Sequence, residues 1–401
     1  NMKNESFWSA LKAGFPVGAV YFGALVGPVM VTGSYAMNYY ICAGVQSWVY
    51  FFIEIAAITL FFFMGFEHTR YVHKCNPDVN VYNYTILAKA LYGPKLQFLV
   101  PFYDLWVSFA MIITGAATVA TGGSLIASFL GIPYLAGTII MAMLALVIAT
   151  FGADIVRKSS TVMTFGMIGM MALLVIITLV TRGSQLAQTI SSSWYPPYEG
   201  RSFGNGAWRV FVLCCSSCSW ALGLGAVAQK MQSKKASFAG AASAGVCGAF
   251  AFFLMWLIVL PWVGKIYVDG TVNGTPVLQI TSEWMGIPAI GVIYYLLMIL
   301  ALISSGAPSM YIAAERFKQF VPRLRDSERK KLSTFICAVV FCVIVIVMAA
   351  NGLTPIVSRY FQYLGYFGQI FGVIPMVIIW PILRAKSVKA VIPGRNSTLD
   401  E

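Results

Sequence analysis

Residues Gly23 to Tyr35 read GALVGPVMVTGSY. Apolar residues continue on both sides, so the stretch reads as the middle of a membrane-spanning helix, yet it holds three glycines, a proline, a threonine and a serine. Glycine and proline are the poorest formers of a helix interior, and lipid offers no water to any backbone group they set free. Such a segment is tolerated where neighbouring protein or a hydrated cavity answers the freed N–H and C=O groups. Close helix packing or a simple kink is the plainer use of the same residues.

The surroundings decide the solvent. Of 401 residues, 59% are hydrophobic and 10% charged, too little polar surface to cover a soluble globule. Apolar segments long enough for a hydrocarbon core of about 30 Å lie near 14–43, 46–68, 98–128, 133–152, 159–181, 205–229, 236–263, 287–315, 332–350 and 354–383. The chain therefore reads as an all-α, polytopic membrane protein with ten transmembrane helices. With the N-terminus in the cytoplasm, of the 27 Lys and Arg only Arg182, Arg201, Arg209, Lys265 and Arg359 fall at or near the outer side. Basic residues gather on the cytoplasmic side of membrane proteins, so both termini are expected in the cytoplasm of a cell (plasma) membrane protein. The net charge of +13 then reflects topology, and no nucleic-acid partner is implied. The eight cysteines fall mostly within expected spans and are expected to be free thiols; Cys215 and Cys218 have CxxC spacing but no partner pair for a metal.

No long polar linker divides the chain, so residues 1–401 are expected to form one transmembrane domain. A second breaker-rich stretch, Cys214 to Gln229, reads CCSSCSWALGLGAVAQ. It stands in the first span of a second group of five, as Gly27 does in the first group. An odd number of spans per group makes the halves, about 7–181 and 205–384, inverted repeats, and broken helices at matched positions of such halves point to a transporter site near the bilayer midplane. Freed carbonyls at one half-helix end suit a cation, and freed N–H groups at the other suit a carboxylate.

Three stretches carry a resemblance: ALGLGAV at Ala221 to Val227, GALVG at Gly23 to Gly27, and ALISS at Ala301 to Ser305. They resemble helices 6, 1 and 8 of sodium-coupled amino acid symporters in the amino acid, polyamine and organocation transporter superfamily. That resemblance implies a LeuT-type fold, a 5+5 inverted repeat with broken helices 1 and 6. It also implies a sodium site made by the carbonyls of Gly23, Val26 and Ala301 with the hydroxyls of Ser304 and Ser305, an all-oxygen set suited to a small hard cation. The symporters' asparagine and gate arginine after this stretch have no counterpart in Val29 to Ser34; Arg209 and Arg359 stand near the outer ends of helices 6 and 10, as gate residues or interfacial anchors.

A pocket between the two breaks would be lined by Gly27, Pro28 and Thr32, by Ser219, Trp220, Ala221, Gly223 and Leu224, by residues around Phe109 to Thr114, and by Ser305 and Ser309. Trp220 offers a cation–π face to an ammonium. Glu67, Asp104 and Glu54 are gating or coupling candidates, since ionisable residues inside a membrane are costly and so are functional by default. Pairing with a nearby hydroxyl or basic group is their structural alternative. Asn80 to Gln97 reads as an interfacial amphipathic helix and residues 264–286 as an outer lid. The expected function is cation-coupled transport of a small amino-acid-like or zwitterionic solute, with sodium as coupling ion, no other cofactor, and partners limited to the small-molecule substrate and membrane lipids. A nutrient receptor of the same fold is the alternative, because fold does not decide function. No catalytic cluster or phosphate-binding loop supports an enzyme or a primary pump.

Overall fold

The structure, a computed structural model, describes residues 7–25, 27–77, 84–151, 153–197, 200–223, 231, 233–267, 275–321 and 330–385. Among these residues all regular structure is helical and no strand occurs. Five helical stretches, Val45–Cys75, Pro94–Leu130, Phe165–Ser191, Lys234–Ile266 and Leu353–Ala385, are long and apolar enough to cross a membrane. Tyr134–Ile148 and Phe335–Ala349 are shorter apolar helices. The chain is a multi-pass membrane protein.

Local chemistry sets the boundaries near the quoted stretch. Helix α1 spans Phe7–Leu25 and α2 spans Pro28–Val31. Proline disfavours helical geometry in the residue before it and suits the first position of a new helix; Gly27 and Pro28 stand in those two roles. After α2 the chain turns through Thr32 and Gly33, and Gly33 takes φ +81°, a left-handed conformation that glycine alone adopts freely. Ser34 and Tyr35 resume a helix, Ala36–Tyr40 are π-helical, and α3 follows over Tyr50–Cys75.

Further helices are α4 (Tyr84–Tyr92), α5 (Val100–Leu130), α6 (Tyr134–Phe151), α7 (Ala153–Ser191), α8 (Phe203–Ser217) and α9 (Ser219–Gly223). After these come α10 (Lys234–Val259), α11 (Pro288–Phe320), α12 (Lys330–Ala349) and α13 (Phe361–Gly368). Further π-helical runs are Ile280–Trp284 and, flanking α13, Ile356–Tyr360 and Gln369–Ile379. Ser202 caps α8 by accepting from the Asn205 N–H, and Ser233 caps α10 from the Ala236 N–H, each satisfying one orphan donor of a helix start. Helix α7 runs past the expected end at 181 and kinks at Arg182 (φ −130°, ψ 16°), whose guanidinium lies 4.4 Å above the Trp262 ring.

Small residues bring the helices together. Gly14 and Gly18 of α1 press on Gly240 and Ser243 of α10, and Gly245 of α10 presses on Ile55 and Thr59 of α3. On another face, a Cβ built at Gly365 of α13 would fall on the Val212 carbonyl of α8, and one at Gly368 on the Cys215 carbonyl. Lipid gives helices no hydrophobic reason to associate, so van der Waals contact at this closeness carries the assembly. The segment expected as an interfacial amphipathic helix is α4 in its described part, but it is tucked under the bundle. Leu87, Ala88 and Leu91 are buried, and the Leu87 carbonyl lies 2.9 Å from His68 Nε2.

Gly365→Leu should lower the melting midpoint of the detergent-purified protein sharply, by an overpacking cost of about 1–3 kcal/mol or more. Gly169→Leu, at a glycine with open space around it, should shift the midpoint little.

Candidate functional site

The turn that ends α2 is held by two distant groups. Tyr294 of α11 donates its hydroxyl to the Val31 carbonyl at 2.5 Å, and the Val277 N–H donates to the Thr32 carbonyl at 2.9 Å. Val277 belongs to the short helix Pro276–Gln279, part of the segment expected as an outer lid. Thr32 Oγ1 takes the Ser34 N–H at 3.3 Å. The backbone that leaves the helical pattern at residues 31–34 is thus bonded by protein.

One turn earlier, Gly27 opens on a cavity of about 90 Å³. Its walls are Tyr21, Leu25 and Gly27, Tyr35 and Tyr40 of the π-helical stretch and its approach, Glu54 and Ile58 of α3, and Ala110, Thr114 and Thr118 of α5. Helices α8 and α9 contribute Leu213, Cys214, Ser216, Ser217, Ser219 and Trp220; Phe252, Ser305, Phe361 and Leu364 complete the wall. Between α8 and α9 the Ser219 hydroxyl donates to the Ser216 carbonyl at 3.0 Å, and Ser216 donates to the Leu213 carbonyl at 2.6 Å.

Of the residues expected around a substrate, Gly27, Ser219, Trp220 and Ser305 line this cavity, as does Thr114. Trp220 is 37% exposed, unlike Ser219 and Ala221 beside it, which are buried. Thr32 and Ala221 are buried but are not part of the wall. Pro28, Gly223 and Ser309 are helical, with side chains outside the described set; Leu224 lies outside the described residues altogether. For the expected sodium ligands, Gly23 is helical and Val26 lies outside the described residues. Ser305 donates its hydroxyl to the Ala301 carbonyl at 2.6 Å, so two oxygens of the expected set are neighbours; Ser304 is helical, its hydroxyl undescribed.

The three acidic candidates differ in setting. Glu67 forms an ion pair with Arg70 on the next turn of α3. Asp104 is half-buried near the start of α5. Glu54 is 3% exposed, receives the Tyr40 hydroxyl at 2.6 Å, and forms no ion pair among the described residues. Its other oxygen faces Gly248 of α10, where a built Cβ would stand 3.2 Å away. It is the single carboxylate among the described cavity-lining residues.

Sequence reasoning missed the aromatic lining. Tyr35 meets Phe252 and Phe361 edge-on at 5.7 and 5.5 Å, Tyr40 stacks on Phe51 at 4.6 Å, and Tyr21 meets Phe62 at 4.8 Å. The available signal was the run of Tyr21, Tyr35, Tyr39 and Tyr40 in one apolar stretch, since a buried tyrosine hydroxyl needs a partner. Arg209 also differs from a surface anchor. It is half-buried, donates to the Ser358 carbonyl at 2.8 Å and lies 5.5 Å above the Tyr39 ring.

No protein-family model matches the chain, and no curated protein matches it in sequence. Solved structures do. Mhp1 in an inward-facing conformation is similar with a TM-score of 0.61 at 14% identity, covering 93% of this chain and 77% of that one. The chain has the LeuT-type fold. A manganese transporter from Eremococcus coleocola, in a mutant form, is similar with a TM-score of 0.57 at 13% identity over 94% of this chain and 81% of that one. A sodium-coupled sialic acid symporter in a substrate-bound outward-open state aligns over 94% of this chain and 97% of that one, with a TM-score of 0.49 at 13% identity.

Tyr294→Phe should cost about 1–3 kcal/mol by leaving a buried carbonyl short of a partner, read as a lower melting midpoint in detergent. Tyr295→Phe, which loses only an exposed contact with Ser128, should leave the midpoint nearly unchanged.

Proposed function

We propose that the protein is a cation-coupled secondary active transporter of a small amino-acid-like or zwitterionic solute, working by alternating access in a plasma membrane with both termini cytoplasmic. The observation that carries this reading is the cavity at Gly27, whose wall joins the end of α1 to the junction of α8 and α9. In the same reading the ten spans form a 5+5 inverted repeat whose first helix of each half is broken at this chamber. The solute's carboxylate meets backbone N–H groups at the breaks, where helix starts favour anions. Its ammonium meets Glu54 and the faces of Trp220 and the tyrosines, by charge and by cation–π attraction. Sodium occupies the oxygens of Gly23, Val26, Ala301, Ser304 and Ser305, while Glu67 and Asp104 serve gating.

Uptake of radiolabelled amino acids and betaines into proteoliposomes, with and without an inward sodium gradient, tests the proposal. Saturable accumulation that needs the gradient is expected. Saturable binding without accumulation under any cation gradient would overturn it in favour of a receptor. Ser304→Ala with Ser305→Ala should remove most of the sodium dependence while leaving the melting midpoint close to wild type. Glu54→Gln, which keeps an acceptor for Tyr40, should weaken binding of an amine-bearing solute at least tenfold.

A further inference from the structure

A second chamber lies beyond the first, at the end of the bundle where α3 and α8 begin. Its volume is about 670 Å³, and its wall holds Arg201, Arg209 and Arg359 together with Asn38, Thr354 and Ser358. No Asp or Glu among the described residues lines it. Glu199, two positions before Arg201, lies outside the described residues; counted in full, it leaves the arginines in excess.

The arginines are built into the fold at different depths. Arg359 is exposed and stands on the π-helical run Ile356–Tyr360. Arg201 is half-buried, with its backbone N–H held by the Cys42 carbonyl at 2.9 Å. Arg209 spends one nitrogen on the Ser358 carbonyl, yet its Nε is buried without any partner. A buried donor on a charged group left unbonded is costly, and three guanidinium groups around one space repel one another. An anion entering that space offsets the repulsion among the three groups; the Arg209 Nε itself has no accessible surface and stays behind the chamber wall. Arginine's planar fork matches the two oxygens of a carboxylate or phosphate, and three such forks far exceed what a neutral solute would need.

We propose that this outer chamber is a binding site for a small oxyanion, a carboxylate or a phosphate group, held by Arg201, Arg209 and Arg359. The site is separate from the inner cavity, and its occupancy does not depend on transport. Binding is therefore measured on the full chain in detergent, without any gradient, as a thermal shift titrated with sodium succinate or sodium phosphate against sodium chloride of equal ionic strength. A saturable shift beyond the chloride control is expected with at least one of the two, succinate marking a carboxylate site and phosphate a phosphate site. Arg201→Gln with Arg359→Gln should weaken that binding at least tenfold. Arg209→Lys keeps the charge but loses the fork, and should weaken it as well while leaving the fold intact. Equal shifts in chloride, or unchanged binding in the double variant, would overturn the proposal. Loss of sodium-driven uptake with this binding preserved would instead sink only the transport reading.

Discussion

Every polar group of the main chain must find a partner inside lipid, and the turn at Val31 to Ser34 is where this protein meets that demand most visibly. A helix satisfies its own amides; a chain that leaves the helix must borrow partners. Here Tyr294 and Val277, both more than 240 positions away in sequence, supply them. The glycine at position 33 is needed for the same turn, because its φ of +81° would strain any residue with a side chain. Gly27, at the other end of α2, lines the cavity, so this short helix lies between a turn that needs outside partners and a break that opens on a space.

The chamber is small, aromatic and carries one carboxylate among its described walls. Its shape follows from packing. Glycine and serine contacts draw α1, α10 and α3 together, and glycines on α13 seat that helix on the backbone of α8. With backbones that close, the tyrosine and phenylalanine rings between the two groups of helices have few places to go, and they line the remaining space. Glu54 is tolerated there because Tyr40 donates to its carboxyl group, in keeping with the rule that buried polar groups are hydrogen-bonded.

Much of this was readable beforehand, for physical reasons. Hydropathy marks helices in lipid because a span must be apolar along its whole length, so the membrane class and the all-helical architecture followed from composition and segment length. Proline and glycine mark boundaries because their backbone limits are local, which is why Gly27 and Pro28 stand where α1 gives way to α2. Glu54 could be singled out as an ionisable residue in a span, but its bond to Tyr40 could not, since π-helical winding at Ala36–Tyr40 turns side chains off the usual period. Arg209 was harder still. One sequence position near a helix end suits both an interfacial anchor and an inward-facing group, and only the contact with Ser358, on a segment 149 residues later, separates them.

Two of the π-helical runs, Ala36–Tyr40 and Ile356–Tyr360, have a further consequence. Tyr40 and the neighbouring Tyr35 and Phe361 face the inner cavity, while Met37, Asn38, Ser358 and Arg359 face the outer one, and the Tyr39 hydroxyl ties the runs together at the Val357 carbonyl. These runs contribute to the walls of both cavities. Widened helical turns of this kind recur at functional sites, and here two of them stand between a closed space and an open one.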